Sequence, residues 1–166
     1  MNTISIPRLQ ELFAYNACNG TLVWRARPRT ARNDRAGLPA GHTKKNGYVL
    51  VNVDGKSFLK HRICWALSHG DWPKAYIDHI DGDPSNNSIV NLRCATPAQN
   101  LQNTKHYSNN KSGAKGVYLH AHGKYEAFIT KDKRRVYLGM FENFDDAVAA
   151  RAKAQSEIFT HERKYA

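Results

Sequence analysis

Residues 76–103 read YIDHIDGDPSNNSIVNLRCATPAQNLQN. From Tyr76 to His79 apolar and polar side chains alternate, the period of a short strand with one buried face. A loop dense in Asp, Gly, Pro and Asn follows, residue types that favour turns over ladders. Leu92 to Cys94 is a second short strand-like stretch. Thr96 followed by Pro97 has the chemistry of a helix start, with Thr as N-cap and Pro at the first position, where its missing N–H costs nothing. The stretch therefore predicts strand, loop, strand, helix.

Working outward toward the N-terminus, KHRICWALSH (Lys60 to His69) predicts a helix that packs through Ile63, Trp65, Ala66 and Leu67 and stops at Gly70. Before it, Gly47 to Val53 and Lys56 to Leu59 flank Asp54-Gly55, a hairpin signal. Arg25 to Lys45 has no period and reads as a loop or basic arm. Thr21 to Trp24 reads as a strand. Ser5, Pro7, Leu9, Leu12 and Phe13 predict a short capped helix ending near Asn19-Gly20.

Toward the C-terminus, Tyr107 to Ser112 is a polar linker. Three strands follow, Gly116 to His120, Lys124 to Thr130 and Arg134 to Leu138. A helix from Asp145 to Phe159 places Ala147, Val148, Ala150, Ala154 and Ile158 near helical spacing, with Asp145 and Asp146 in its first turn. The fold class is α+β: a small basic α/β region (1–59), a strand–strand–helix core (60–106), a linker (107–112), and a three-stranded antiparallel sheet with one helix (113–166). At about 55 residues the last part is near the lower limit for independent stability.

The 25 Lys and Arg against 14 Asp and Glu give a charge of +11, and the isoelectric point is about 9.7. Trp24 to Arg62 carries ten basic and two acidic residues, and Leu101 to Met140 eight and two. Asp71, Asp78, Asp81 and Asp83 lie between them, with only Lys74 and Arg93 in that segment. Two basic arms around an acidic centre suit a polyanion held at both ends and a cation in the middle, although a charge run is also an ordinary way to solvate a surface. No run approaches the roughly 18 apolar residues of a spanning helix. The N-terminus lacks the basic and apolar regions of a secretory signal, so the chain is read as working where it is made. Cys18, Cys64 and Cys94 form no CxxC pair and read as reduced and buried, with no zinc expected.

Phosphodiester hydrolysis needs a base for water, a cation at the scissile phosphate and positive charge for the polyanion. Asp78 offers a hard anionic oxygen and Asn100 a neutral amide oxygen, a pair suited to one Mg2+ or Mn2+. His79 is the candidate general base. Consecutive strand residues point to opposite faces, so Asp78 and His79 reach one phosphate only from a twisted strand end or a bend. Asp81, Gly82 and Asp83 could be turn formers or the start of a calcium loop, but Pro84 and the lack of a suitably spaced glutamate argue against an EF-hand. His61 and His69 read as packing or capping residues. Arg93 is either a surface charge or a phosphate contact.

The segment resembles the HNH motif of phage and intron-encoded homing endonucleases, of the His-Me finger or ββα-metal type. The resemblance rests on Asp78-His79, Asn86-Asn87, Asn91-Leu92-Arg93 and Asn100, with HRICWALSHGDWP ahead of them. It implies that His79 is the base, that Asp78 and Asn100 bind the metal, and that Asn91 braces the loop through backbone hydrogen bonds. It also implies double-stranded DNA as partner and a phage-encoded protein in the bacterial cytoplasm, with no membrane role.

Ser112-Gly113, Lys115-Gly116-Val117, Lys124-Tyr125, Leu138-Gly139 with Phe141 and the alanine-rich helix resemble the Apetala-type domain of ethylene-response factors. That resemblance implies a sheet in the DNA major groove, with Lys115, Tyr118, His120, Lys124, Tyr125, Arg134, Arg135 and Tyr137 as candidate contacts. Strand alternation turns about half of these toward the helix or solvent. Tyr125 stands where that family usually has Trp.

The leading expectation is a metal-dependent endonuclease that nicks or cleaves duplex DNA at a recognised site. The alternatives are a DNA-binding regulator with an inactive HNH core, and an RNA-directed or nonspecific nuclease. Monomer and homodimer are both compatible with the sequence.

Overall fold

The computed structural model describes residues 3–25, 35–102, 112–131 and 134–159. Most of the predicted linker (107–111 of 107–112), part of the basic arm (26–34) and the predicted turn at 132–133 lie outside the described residues. The chain divides into two compact units at Thr96/Pro97. The basic N-terminal region and both strands of the 76–103 motif share the first unit, and the motif's helix, α3 (Pro97–Gln102), begins the second.

The first unit opens with α1 (Ile6–Leu12), then the hairpin β1 (Phe13–Asn16) and β2 (Thr21–Trp24). This corrects the expected helix to Asn19-Gly20. The helix stops at Leu12 because Phe13 is worth more across a hairpin, where its ring lies 4.5 Å from that of Trp24, its register partner. Ser5 makes no side-chain cap bond, so the capping predicted there is absent. A three-stranded antiparallel sheet follows: β3 (His42–Thr43), β4 (Val49–Val53) and β5 (Lys56–Leu59). Asp54 (φ 47) and Gly55 (φ 78) both adopt positive φ, as the predicted two-residue turn demands.

Helix α2 (Lys60–His69) ends at Gly70, which is left-handed and donates its N–H to Ala66 O. Strands β6 (Tyr76–His79) and β7 (Leu92–Ala95) form the two-stranded ribbon read from the sequence, joined by a loop with a short 3-10 turn at Ile89–Asn91. One hydrophobic core links these elements: Leu9 and Leu12 of α1, Leu22 and Trp24 of the hairpin, Val51 and Val53 of β4, Ile63 and Cys64 of α2, and Ile77 and Leu92 of the ribbon. The N-terminal region is thus built into the ribbon's own core.

In the second unit β8 (Val117–Leu119), β9 (Tyr125–Lys131) and β10 (Arg134–Phe141) form an antiparallel sheet in the order β10-β9-β8. Strand β10 runs further than predicted and is broken by a bulge between Tyr137 and Gly139. Helix α4 (Phe144–Ile158) covers one face, with Ala147 packed on Val117 and Ala127. No disulfide joins the three cysteines, and only Cys64 is buried. Cys18 lies in the β1–β2 turn and Cys94 points off β7 to solvent, which corrects their predicted burial.

Candidate active site

His79 is the last residue of β6, and the chain turns at once, with Gly82 N–H donating to His79 O at 2.8 Å. The strand end that the sequence required for Asp78 and His79 is therefore present. Both are buried, at 5% and 4% exposure. They have different neighbours. The ring of His79 meets His61 of α2 edge-on at 5.2 Å and Tyr48 at 5.9 Å. Asp78 instead faces its cross-strand partner Arg93, whose Nε and Nη2 both reach Asp78 Oδ2 at 2.8 Å. Arg93 is thus no loose surface charge.

The ring of His79 has a side-chain partner that sequence reading passed over. Its Nε2 lies 3.3 Å from Oδ1 of Asn87, the most buried polar residue of the loop at 1% exposure. The Asn87 amide is oriented by its own Nδ2, which donates to Ser85 O at 2.8 Å. An amide oxygen only accepts, so neutral His79 carries its proton on Nε2 and its lone pair on Nδ1. Burial pushes the His79 pKa below the ordinary histidine value, against the opposing Asn87 bond and the charges of Asp81, Asp78 and Asp83. The imidazole is thus neutral at pH 7, the form a base requires. The doubled asparagine at 86 and 87 was the signal; its spacing did not say which of the two reaches the histidine.

Asn91 holds the loop on three sides. Its Oδ1 accepts from Asp81 N–H at 3.0 Å, and its Nδ2 donates to Asn86 O and Asp81 Oδ1, both at 2.9 Å. Asp81 also takes Asn86 Nδ2 at 2.7 Å and Asp83 N–H at 2.8 Å, and Asp83 takes Ser85 N–H at 2.9 Å. These acidic residues are turn formers satisfied inside the loop. His61 is a packing residue, its pKa lowered to about 3 by burial first and then by His79 and Arg62. His69 stacks on Trp65 at 3.9 Å. Asn100 stands on α3.

Residues 58–102 match the HNH endonuclease family. Over 63 residues, 37% of this chain, it is 46% identical to Protein 3.8 of Escherichia phage T7, of which it covers 52%. Over 89 residues, 53% of this chain, it is 37% identical to an uncharacterised HNH endonuclease of Acanthamoeba polyphaga mimivirus, of which it covers 46%. The chain therefore spans about half the length of the curated relatives it matches. No solved structure matches it. Among the described residues, no helix is long and apolar enough to cross a membrane.

C-terminal to the matched segment, the candidate contacts of the second unit separate by strand face. Tyr118 (58% exposed) and Tyr137 (60%) stand on the face away from α4. Arg135 shares that face, lying 3.6 Å over the Phe128 ring and 2.8 Å from Glu126. His120 meets the same Glu126 at 2.9 Å. Arg134 is exposed at the start of β10. Lys124 pairs with Glu142. Tyr125 turns instead to the helix and meets Phe144 at 5.5 Å. Lys115 is half-buried, its pKa lowered by burial and by Arg151.

Proposed function

We propose that this chain is a divalent-metal-dependent DNA endonuclease of the homing type, acting in the cytoplasm of a phage's host on duplex DNA at a recognised site. The observation that carries the reading is a buried His79 whose Nε2 lies 3.3 Å from Asn87 Oδ1, inside the segment that matches the HNH family.

The base is His79 Nδ1, which takes a proton from water as the water oxygen attacks phosphorus in line with the departing 3'-oxygen. Because the other nitrogen is committed to Asn87, the ring needs no tautomer change before it accepts that proton. Asn91 keeps the turn after His79 closed, and Arg93 sets positive charge beside Asp78 on the phosphate side. Asp78 already serves as a cation's partner, and its hard anionic oxygen suits a hydrated Mg2+ or Mn2+; the Asn100 amide, the second donor that the HNH resemblance implies, is of the same hard type. When bound there, such a cation supplies charge opposite the negative charge that develops at phosphorus and the leaving oxygen. On the second unit, the face bearing Tyr118, His120, Arg135 and Tyr137 reads the duplex, and Lys115, Lys124, Tyr125 and Arg134 contribute charge and support around it.

The test is a cleavage assay on a library of duplex DNA fragments, one random duplex and RNA, each with and without Mg2+. Mg2+-dependent cutting of a subset of the duplexes is the expected result. Equal cutting of RNA or of every duplex would overturn site direction, and binding without any cutting would make the chain a regulator.

A further inference from the structure

The candidate base is oriented by Asn87, and Asn87 is itself held by the N-terminal hairpin, 72 residues earlier in the chain. The Tyr15 hydroxyl of β1 donates to Asn87 O at 2.9 Å. Ser88 Oγ donates to the turn carbonyls of Ala17 and Cys18 at 3.2 and 2.8 Å. Ile89 N–H donates to Ala17 O at 3.0 Å. Gly20 closes the same contact. Its φ is 72°, and a Cβ there would stand 2.4 Å from both Asn87 C and Ser88 N. Those are backbone atoms, so an added methyl displaces the loop itself and not a flexible side-chain end.

We propose that the β1–β2 hairpin is a positioning element for the base, with Tyr15 and Gly20 acting on His79 through Asn87. This rests on the reading of His79 as general base. The His79–Asn87 separation of 3.3 Å is already at the long end for a hydrogen bond, so a small recoil of Asn87 breaks it. With that bond gone, nothing from Asn87 selects the Nε2–H tautomer, and the lone pair on Nδ1 is lost from part of the population. Tyr15 is suited to a permanent hold: burial pushes its pKa up to about 12, so its hydroxyl stays a donor across the working range. A hairpin that merely filled the core, or one that served as a separate DNA arm, would affect stability or affinity and leave the tautomer alone.

The experiment uses the full chain and reads three things: the single-turnover cleavage rate at saturating duplex DNA with Mg2+, the DNA affinity, and the 15N signals of the His79 ring, assigned by their loss in His79→Ala. Tyr15→Phe is expected to slow cleavage about 10-fold and Gly20→Ala about 100-fold, the scale of a misplaced catalytic group, with DNA affinity within about twofold. In both, the His79 ring signals move from the Nε2–H pattern toward a mixture. The control is Arg8→Ala, which removes the Arg8–Asp54 pair (3.3 Å) of the same unit without touching Asn87. It is expected to lower the melting temperature and leave the tautomer and rate as they were. Wild-type ring signals in both hairpin variants would overturn the proposal, as would an Arg8→Ala effect on rate in proportion to lost stability. If His79→Ala still cuts while Tyr15→Phe moves the His79 signals, the base assignment falls and the positioning stands. If His79→Ala abolishes cutting while the ring signals of both hairpin variants stay wild-type, the reverse holds.

Discussion

The two units place polar chemistry in opposite ways. In the first, the residues of interest are sunk into the protein: Asp78, His79, Asn87 and Asn91 are all under a tenth exposed, and each is tied to a neighbour. In the second, Tyr118 and Tyr137 are more than half exposed on an open sheet face. The difference fits the roles proposed for the two sets of residues. A base must keep one tautomer, one protonation state and one direction, and burial with a committed hydrogen bond secures all three. A surface that meets a duplex must stay accessible and lets the partner complete its contacts.

The comparison breaks most sharply at His79. His79→Ala is expected to lower the cleavage rate by about 10² to 10⁴, the usual contribution of a positioned acid–base group, with DNA affinity kept. A gel assay of cutting beside a binding titration decides it, and cutting at the wild-type rate would remove His79 from the mechanism. Next in size is Asn91→Ala. It leaves Asp81 N–H and Asn86 O without their partner and is expected to cost about 2 to 3 kcal/mol in a urea titration.

On the open face the effects are smaller and of a different kind. Arg135→Gln is expected to weaken DNA binding and to reduce the salt-dependence slope by about one, while the rate at saturating DNA is unchanged. A lowered saturating rate with an unchanged slope would mean that the two units do not divide labour in this way.

A further expected effect concerns pH. Buried His61 has a folded-state pKa of about 3, below its unfolded value, so the unfolded chain binds more protons between the two values. Its contribution to stability is whole above the ordinary histidine pKa of about 6.5 and is lost as pH falls toward 3. His61→Leu is expected to flatten stability against pH across that window, read as the urea midpoint. An unchanged pH slope would show that His61 is not the acid-sensitive group of the core.

Local sequence described the ribbon and its helix well because short-range rules govern them. Asp54-Gly55 forces its turn, Gly70 ends its helix, and Asn91 sits where the loop closes on itself. The hairpin at Phe13 was misread because its helix-like spacing is overridden by a contact with Trp24 on the opposite strand. Tyr125 was grouped with the DNA-facing candidates by a motif that carries no face label; strand alternation put it against Phe144. The pairing of Arg93 with Asp78 followed from register, which the intervening loop leaves open.

By itself, the sequence determined the chemical types and their spacing: an Asp-His pair at a strand end, an asparagine-rich loop, and a helix bearing Asn100. It also determined the basic character on both sides. Only the tertiary structure decided which asparagine orients His79 and that the N-terminal hairpin grips it. It also decided that His79 is buried, which lowers its pKa. Those outcomes depend on contacts between residues far apart in the chain, and a local pattern holds no information about which distant backbone will lie 2.9 Å from a given hydroxyl.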